Sequence, residues 1–554
     1  MTILTLDRKE LEKKVGPITS EILDKITMMG TPVEEANENE ISVEIFPNRP
    51  DLLSLQNFAK ALNLYLERKK ISQIKINSLK QEYIVKVDKS VKEVRPYTVC
   101  AIVKGLKFDD ENIKQIIDIQ EKLHNSIGRK RKKIAIGIYP LEKISFPITY
   151  KAEKPENIKF QPLETNEIMN ANQILKKHPT GQEYSNLLKD KKLYPIFIDS
   201  NKQILSMPPI INSHNIGKVT TQTKDIFIEC SGFELYYLNK TLNILISSFE
   251  EMGGLIYPVK ILDKTNRITP ELTPQKMDID LRKINKNLGL DLNEKQITKL
   301  LYKMGIELKK QKDQYYALIP PQRTDILHWI DLVEEVAIAY GYNNFKPIIP
   351  KISTIAQEHP SSKKRKLISN ILIGLGLLEV SSYHLTTKKN IKKIYFDFND
   401  LIQVENSKTQ RDTLRHDLLT NLLEIFSENS DATYPQKIFE IGKVFEKDKE
   451  NKTQTKVIEK EKLSIALTNE NVNYTELKQI LDYLFKMLNI INYKIENNDN
   501  HPAYIKGRSG IIKVGDKEIG TIGEINPRVL KNWKLKMPVV SLELELTFLL
   551  NQNN

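Results

Sequence analysis

Apolar and polar residues either alternate or recur at helical spacing along most of the chain, so the pattern predicts both strands and helices. Alternation predicts strands over residues 41–45 and 134–138 and a final strand over residues 540–546. Helical spacing predicts helices over residues 18–28 and 111–127. Because both periods occur in the early and the late parts of the sequence, the pattern predicts an α+β protein.

Length and turn-forming residues predict several domains, since 554 residues are too many for a single hydrophobic core. The pattern divides the chain into a small N-terminal α+β domain (1–90), a second α+β domain (91–264), helices with a small hairpin (265–348) and a region with an antiparallel sheet (349–554). The third domain, with a first helix expected over residues 277–288, is winged-helix-like. A winged helix often binds nucleic acid, but that inference is by analogy only.

The most informative helix is predicted directly after Pro320 and Pro321. Thr324 or Asp325 can cap its first turn, and Gly341 can end it. The carboxylates of this segment are Asp325, Asp331, Glu334 and Glu335. Such carboxylates repel one another unless a cation lies between them, and hard oxygen ligands suit Mg²⁺. A solvated acidic helix face is the more common explanation, and the pattern alone favours it.

A polar pair follows an apolar strand in the second domain. Pro208 and Pro209 fix the direction of the backbone there, and Asn212 and Ser213 then bring an amide and a hydroxyl group to the end of the strand. The pair can line a pocket for a polar ligand. An Asx turn explains the same residues, and the pattern alone favours that simpler interpretation.

A basic run at residues 129–133 reads Arg-Lys-Arg-Lys-Lys. Such runs are usually solvated, and contact with phosphate groups is the second interpretation. The net charge of +13 and the pI of about 9.1 make a polyanionic partner plausible.

Several classes of protein are disfavoured by the sequence. Cys100 and Cys230 are the two cysteines, and they are too few and too far apart for a disulfide framework or a zinc site. The N-terminus lacks the basic flank and cleavage site of a signal peptide, and no apolar run is long enough to span a membrane. We therefore expect a cytoplasmic protein. The chain also lacks a P-loop lysine and a Rossmann glycine fingerprint.

Five short motifs occur in a characteristic order. They are Asn48-Arg49-Pro50-Asp51, Ala135-Ile136-Gly137-Ile138, Met207-Pro208-Pro209-Ile210-Ile211-Asn212, Asp331-Leu332-Val333-Glu334-Glu335-Val336 with Tyr340-Gly341-Tyr342, and Ile519-Gly520-Thr521-Ile522-Gly523-Glu524-Ile525. Each is weak alone, but their order and spacing together are specific. Over nearly its whole length the chain resembles the beta subunits of phenylalanine–tRNA ligase, in the shorter archaeal and eukaryotic form.

The resemblance implies a metal site and an editing site. The residues implied to hold Mg²⁺ are Asp325, Asp331, Glu334 and Glu335. The second domain is implied to hydrolyse tyrosine wrongly attached to tRNA(Phe), because an apolar pocket for phenylalanine rejects an added hydroxyl group imperfectly. Asn212 is the first candidate for the editing pocket, and Ser213 and Thr220 are the next candidates.

The last domain resembles a class II synthetase core that has lost its catalytic motifs. Lys437-Ile438-Phe439-Glu440 stands where the family has an Arg-x-Glu strand, and no Gly-x-Gly-x-x-Arg motif occurs in the domain. Those arginines clamp phosphate and neutralise transition-state charge. We therefore expect the alpha subunit to attach phenylalanine to tRNA(Phe) with ATP. The family assembly implies an α₂β₂ heterotetramer, with tRNA(Phe) as a further partner.

Two alternatives remain at this point. A stand-alone tRNA-binding or editing protein can keep the fold without an alpha subunit. A winged-helix nucleic-acid-binding protein without enzymatic activity is the second alternative.

Overall fold

A computed structural model describes residues 2–78, 82–396 and 398–547. The chain divides into two compact units, residues 1–349 and 350–554. Each unit combines helices with largely antiparallel sheets, which confirms the prediction of a multidomain α+β protein.

The N-terminal part of the first unit contains a three-stranded antiparallel sheet and three helices. Its elements are β1 (Thr2–Asp7), α1 (Arg8–Val15), α2 (Ser20–Met28), β2 (Val33–Ala36), β3 (Glu40–Ile45) and α3 (Leu55–Tyr65). The strand order is β1-β3-β2. Both β3 and α2 lie within two residues of their predicted positions. The strand β1 was not predicted, because its short apolar run was interpreted only as lacking the features of a signal peptide.

A ten-stranded sheet forms the centre of the first unit. Its strands are β4 (Ile84–Val87), β5 (Tyr97–Lys104), β6 (Ile134–Pro140), β7 (Ile148–Glu153), β10 (Tyr194–Ile198), β11 (Ile204–Met207), β12 (Ile211–Asn212), β13 (Ile226–Gly232), β14 (Leu255–Leu262) and β15 (Arg267–Thr269). A separate strand pair comprises β8 (Lys159–Phe160) and β9 (Met169–Asn170). The associated helices are α4 (Asp110–Asn125), α5 (Ala171–Lys177), α6 (Pro179–Tyr184), α7 (His214–Gly217) and α8 (Leu235–Glu251).

The two faces of the ten-stranded sheet belong to two hydrophobic cores. Successive side chains of a strand point to opposite faces, so Ile228 joins the core shared with the N-terminal part. Phe227 joins the second core on the other face. Glu229 has the same parity as Phe227, and β13 pairs with β6 so that Glu229 lies opposite Gly137. A carboxylate is thereby brought inside the protein.

The last part of the first unit contains a second three-stranded sheet. Its elements are β16 (Gln275–Ile279), α9 (Leu281–Leu288), α10 (Glu294–Lys303), β17 (Glu307–Gln311), β18 (Gln314–Ile319) and α11 (Trp329–Tyr340). The helix predicted from residue 277 is wrong at its start, because Met277 pairs with Ala317 in the sheet. Asp280 then caps α9 by accepting a hydrogen bond from the backbone N–H of Arg282.

The second unit is built on a seven-stranded sheet of order β19-β22-β23-β27-β26-β25-β24. Its helices are α12 (Pro360–Gly374), α13 (Lys388–Lys392), α14 (Leu419–Glu428), α15 (Tyr474–Met487) and α16 (Pro527–Trp533). Its strands are β19 (Leu378–Glu379), β20 (Leu385–Thr386), β21 (Thr413–Leu414), β22 (Gln436–Lys447), β23 (Val457–Thr468), β24 (Tyr493–Asn497), β25 (Tyr504–Val514), β26 (Lys517–Ile525) and β27 (Val539–Glu545).

The proline and glycines of residues 501–510 are typical of a loop, but most of this segment is strand, because β25 begins at Tyr504. Its pairing with β26 shifts register between Tyr504 and Ser509. Such a bulge, together with Gly507 and Gly510, interrupts the apolar alternation on which strand prediction depends. The sequence therefore hides the first half of this strand.

Within the part of the chain that the structure describes, no helix combines the length and apolar character needed to span a membrane.

Candidate functional site

A cavity of about 470 Å³ opens in the part of the first unit that contains the ten-stranded sheet. Its walls come from α4, β6 and α7, from the segment between β11 and α7, from residues around Arg131, Leu163 and His178, and from Glu229 of β13. A concave site with apolar walls and a few convergent polar groups is the usual form of a small-ligand site.

Glu229 is the most unusual group on the cavity wall. Its side chain is 1% exposed, and burial raises the pKa of its carboxyl group to about 8. Its Oε1 lies 3.3 Å from the hydroxyl of Tyr139, while its Oε2 has no hydrogen-bond partner. A side chain larger than hydrogen at Gly137 would collide with both groups. The carboxyl group is therefore protonated at neutral pH and has an oxygen free for a ligand.

Asn212 belongs to a small polar network on the same wall. The hydroxyl of Tyr139 donates to Ser206 Oγ at 2.8 Å and lies 3.5 Å from Asn212 Oδ1. Ser206 lies opposite Asn212 in the antiparallel pairing of β11 with β12. The sheet register thus brings an amide, two hydroxyl groups and a carboxyl group to one place.

Of the three residues predicted for a pocket, Asn212 lines this cavity, whereas Ser213 and Thr220 are not part of its wall. Ser213 caps α7, with its hydroxyl accepting from the N–H of Ile216 at 3.4 Å. The hydroxyl of Thr220 accepts from the N–H of Gln222 at 3.4 Å within a turn. Both hydroxyls are thus used in local backbone structure.

Two histidines add unpartnered ring nitrogens to the wall. Nδ1 of His178 and Nδ1 of His214 are both buried without a hydrogen-bond partner. Nε2 of His178 lies 3.0 Å from the carbonyl oxygen of Leu163. Since a carbonyl oxygen only accepts, Nε2 carries a proton, and a ring protonated at Nε2 alone has its Nδ1 as an acceptor. Such a nitrogen can hold a water molecule or a substrate donor.

Arg131 closes the cavity beside α4. Its Nη1 donates to the carbonyl oxygen of Ile210 at 2.8 Å, and its Nη2 lies 2.7 Å from Glu121 Oε1. A hydrogen bond from His124, aided by the charge of Arg131, lowers the pKa of Glu121 to about 2. The ring of His124 is fixed because its Nε2 accepts from the N–H of Ile136 at 2.9 Å. Burial lowers the pKa of His124.

The backbone leading to Arg131 is strained. Arg129, Lys130 and Arg131 have φ angles of 48°, 53° and 61°, in the left-handed region that costs non-glycine residues about 1 kcal/mol or more each. Strain of this kind is concentrated at functional sites. The basic run thus forms a tight turn at the edge of the cavity, a shape that its sequence did not indicate.

The acidic helix α11 begins at Trp329, so the predicted cap at Thr324 or Asp325 is wrong. His328 is the capping residue, and its ring accepts from the N–H of Ile330. Asp331 reaches back and accepts from the N–H groups of Leu327 and His328, both at 2.7 Å. Its carboxylate thereby forms one half of a capping box.

A buried arginine lies between two of the predicted metal ligands. Arg323 Nη2 lies 2.7 Å from Asp325 Oδ2 and 2.7 Å from Glu335 Oε1. Although burial alone would raise it, the bonds and charge of Arg323 hold the pKa of Asp325 below its usual value. Glu335 Oε2 stays buried without a partner. Burial, reinforced by the charges of Glu335 and Asp331, raises the pKa of Glu334.

Across residues 2–78, 82–396 and 398–547, no group of three or more His, Cys, Asp and Glu side chains is arranged to hold a metal ion. The four predicted carboxylates are neighbours along one segment, but Asp325 and Asp331 already have protein partners. Oxygens that remain available to a cation are on Glu334, on Glu335 at Oε2 and on Asp331 at Oδ1, because both hydrogen bonds to Asp331 go to its Oδ2.

In the second unit, the charged side chains of the strand that resembles a class II motif are paired with other side chains of the same unit. Glu440 is 3% exposed, and its Oε1 lies 2.6 Å from Arg415 Nη1. The hydroxyl of Ser382 also donates to Glu440, at 2.6 Å. Lys437 pairs with Glu476 at 2.7 Å. These charges are therefore used to hold the sheet and its neighbours together.

Comparisons with known proteins extend these observations. Residues 277–342 match the family model of the tRNA synthetase B5 domain, and residues 346–546 match that of the phenylalanyl tRNA synthetase beta chain CLM domain. The phenylalanine–tRNA ligase beta subunit of Pyrococcus horikoshii is 40% identical over 503 residues, which cover 90% of this chain and 89% of that protein. The chain belongs to the phenylalanine–tRNA ligase beta-subunit family. It is thus a subunit of a ligase.

Another member of the beta-subunit family, from Archaeoglobus fulgidus, is 35% identical over 553 residues and is matched over 98% of its length. A crystal structure of an N-terminal fragment of the beta subunit from Pyrococcus horikoshii superposes with a TM-score of 0.58 at 37% identity. It covers 61% of this chain and 99% of the fragment. The family resemblance seen in the motifs is thereby confirmed.

Sequence reasoning missed most of the cavity wall in this family member. A signal for Glu229 was present, because a carboxylate within Ile226-Phe227-Ile228-Glu229-Cys230 is unusual in a buried strand. His178 precedes the short helix α6 and His214 begins the short helix α7, where single histidines carry no pattern. Their convergence on the cavity depends on the tertiary fold.

Proposed function

We propose that this beta subunit hydrolyses tyrosyl-tRNA(Phe) in the cavity at Asn212, while the alpha subunit attaches phenylalanine to tRNA(Phe) with ATP. The observation that carries the proposal is the group of polar atoms on one cavity wall, of which Glu229 Oε2 and two histidine nitrogens have no protein partner. Unpaired buried polar atoms favour a ligand that satisfies them, since leaving them unpaired is costly.

Tyrosine differs from phenylalanine by one hydroxyl group, and the cavity offers both donors and acceptors for it. A protonated Glu229 can donate to the phenol oxygen, and Asn212 Oδ1 can accept the phenol proton. A site that hydrogen-bonds a hydroxyl group discriminates strongly against a ligand that lacks it. This chemistry favours tyrosine over phenylalanine as the amino acid bound here.

Ester hydrolysis further requires a water molecule held against the ester carbonyl. Nδ1 of His178 is an acceptor on the cavity wall and can orient that water. Positioning of water against the ester provides rate acceleration without a covalent intermediate.

Selectivity between two substrates tests this proposal. The assembled wild-type enzyme should release tyrosine from tyrosyl-tRNA(Phe) at least about 100-fold faster than it releases phenylalanine from phenylalanyl-tRNA(Phe). Deacylation is followed as loss of radiolabelled amino acid from each tRNA. Equal rates for both substrates would contradict selection by a hydroxyl group.

For the attachment reaction, the arrangement around Glu440 favours a supporting role of the second unit. Arg415 and Ser382 use the carboxylate that a class II site would offer to ATP. We therefore assign phenylalanine and ATP to the alpha subunit, and an α₂β₂ tetramer acting in the cytoplasm as the working assembly. The second unit is then a catalytic-like core that builds subunit contacts.

We further propose that Mg²⁺ binds beside α11, within a winged-helix-like metal-binding domain. The available oxygens of Glu334 and Glu335 fit a hard cation, and Asp325 and Asp331 can share oxygens that already accept hydrogen bonds. Because Mg²⁺ keeps several water ligands, two or three carboxylates are enough. The ion would neutralise the acidic segment and stabilise the start of α11.

A further inference from the structure

A second depression, of about 340 Å³, lies next to the proposed editing cavity. We call it the side groove and define it by Arg95, Lys132, Lys191 and Phe233. Pro209 lines both the cavity and the side groove. The two depressions are therefore adjacent.

The strained basic turn connects the cavity with the side groove. Arg131 lines the cavity, and the next residue, Lys132, lines the side groove. The backbone carbonyl of Arg131 is approached by Arg95 Nη2 at 3.5 Å. The turn with left-handed backbone at residues 129–131 thus places consecutive cations in the two adjacent depressions.

The side groove carries an excess of positive charge. Its charged residues are Arg95, Lys132, Lys133, Lys191 and Glu234. Lys133 pairs with Glu234 at 3.4 Å, which removes the one carboxylate of the set. In the part of the chain that the structure describes, neither Lys132 nor Lys191 forms an ion pair, and both are exposed. Two cations are therefore free to meet an anionic ligand.

An exposed aromatic ring lies on the same groove. The side chain of Phe233 is 45% exposed, and the guanidinium carbon of Arg95 lies 5.4 Å from the centre of its ring. Arg95 itself is buried and is held by a hydrogen bond to the carbonyl oxygen of Ser231 at 2.8 Å. The ring thus offers an open face beside a fixed positive charge.

We propose that the side groove binds the single-stranded 3′ end of the tRNA whose aminoacyl group enters the cavity. Free lysines that meet phosphates, next to an exposed aromatic face on which a base stacks, are the features of sites for single-stranded nucleic acid. Lys132 and Lys191 contact phosphate groups, and Phe233 stacks on one base. The proposal rests on hydrolysis in the cavity, because that reaction requires the last nucleotide to lie beside it.

The test uses the full-length chain and a fluorescent single-stranded RNA with the 3′-terminal sequence of the tRNA. The variant Lys132→Ala/Lys191→Ala should bind this RNA about tenfold more weakly than wild type, and the slope of log affinity against log salt should decrease by about 1.4. The matched control, Lys189→Ala/Lys192→Ala, removes the same charge from exposed lysines outside the groove. It should bind like wild type.

Stacking is tested separately with Phe233→Ala, which should weaken RNA binding about fivefold or more, whereas Phe233→Trp should preserve it. In deacylation of tyrosyl-tRNA(Phe), the lysine variant should raise KM and leave kcat unchanged. Equal losses of RNA affinity in both double-lysine variants would overturn the side groove as the RNA site, because general charge would then explain binding.

The two proposals fail in different ways. If hydrolysis does not occur in the cavity, either wild type shows no deacylation or Asn212→Ala releases tyrosine at the wild-type rate, whatever the RNA affinities are. If the side groove is wrong, wild-type deacylation persists and the groove variants match the control in both KM and affinity.

Discussion

At the scale of single residues, the site depends on groups that the fold removes from water. Glu229 is the clearest example, since its strand parity forces a carboxyl group into an apolar core and leaves one oxygen unpaired. Asn212 was predicted from its position after two prolines and is found on the cavity wall. Glu229 was not, because a strand pattern gives the face of a residue but not what lies opposite it.

The buried carboxyl group of Glu229 leads to a prediction about how stability depends on pH. An unfolded glutamate titrates near 4.5, whereas burial raises the pKa of Glu229 to about 8. Between these values the folded state binds the extra proton, so the free energy of unfolding should fall as the pH rises from about 5 to about 8. Glu229 should lower the free energy of unfolding by an amount on the order of a few kcal/mol across this pH range.

The variant Glu229→Gln should remove this part of the pH dependence, because its amide stays neutral. Urea unfolding at pH 5.5 and at pH 8.5 measures the effect, and the variant should lose less stability than wild type between these two pH values. If wild type and variant lose the same stability between these pH values, Glu229 does not carry a proton in the folded state.

At the scale of helices and strands, sequence patterns located several elements but misjudged some of their ends. The start of α11 was placed at Thr324 or Asp325, since a threonine or an aspartate after a proline is a common cap. The helix instead begins after His328, because Arg323 engages Asp325 and Asp331 completes the capping box. Arg323 is close to Asp325 both in sequence and in space, but its pairing with Asp325 depends on burial.

The acidic segment at α11 makes a prediction about Mg²⁺. Adding millimolar Mg²⁺ should raise the Tm of the full-length chain by a few degrees, because a bound ion stabilises the folded state by mass action. Glu334→Gln should abolish that increase, since Glu334 has an available carboxylate. Glu38→Gln removes an exposed carboxylate elsewhere and should keep the increase.

The measurement is thermal unfolding with and without Mg²⁺, with EDTA as the reference. A wild-type Tm that does not respond to Mg²⁺ would favour the alternative of a solvated acidic face. A response that Glu334→Gln retains would place the ion elsewhere.

At the scale of the whole molecule, order of motifs was the decisive sequence signal. Five weak motifs identified a family that 40% identity over 503 residues then established. The shape of the cavity was beyond such reasoning, because its wall combines residues from 113 to 229 that only the ten-stranded sheet brings together. Family membership also implies an alpha subunit as partner.

Association with that partner makes a prediction of its own. When both subunits are produced together, the chain should elute as an α₂β₂ tetramer, and only this assembly should attach phenylalanine to tRNA(Phe). Size-exclusion chromatography with light scattering measures the mass of the complex. A beta chain that stays monomeric beside a phenylalanine-binding alpha subunit would favour a stand-alone protein.

The most direct test of an editing site in the cavity is the rate at which the assembled enzyme releases tyrosine from tyrosyl-tRNA(Phe), compared between two asparagine variants. Asn212→Ala removes the amide from the cavity wall, and Asn201→Ala removes an exposed amide outside it. We expect Asn212→Ala to slow the release of tyrosine at least about tenfold. Asn201→Ala should release tyrosine at the wild-type rate, and both variants should attach phenylalanine at the wild-type rate. Release of tyrosine at the wild-type rate by Asn212→Ala would contradict an editing function of this cavity.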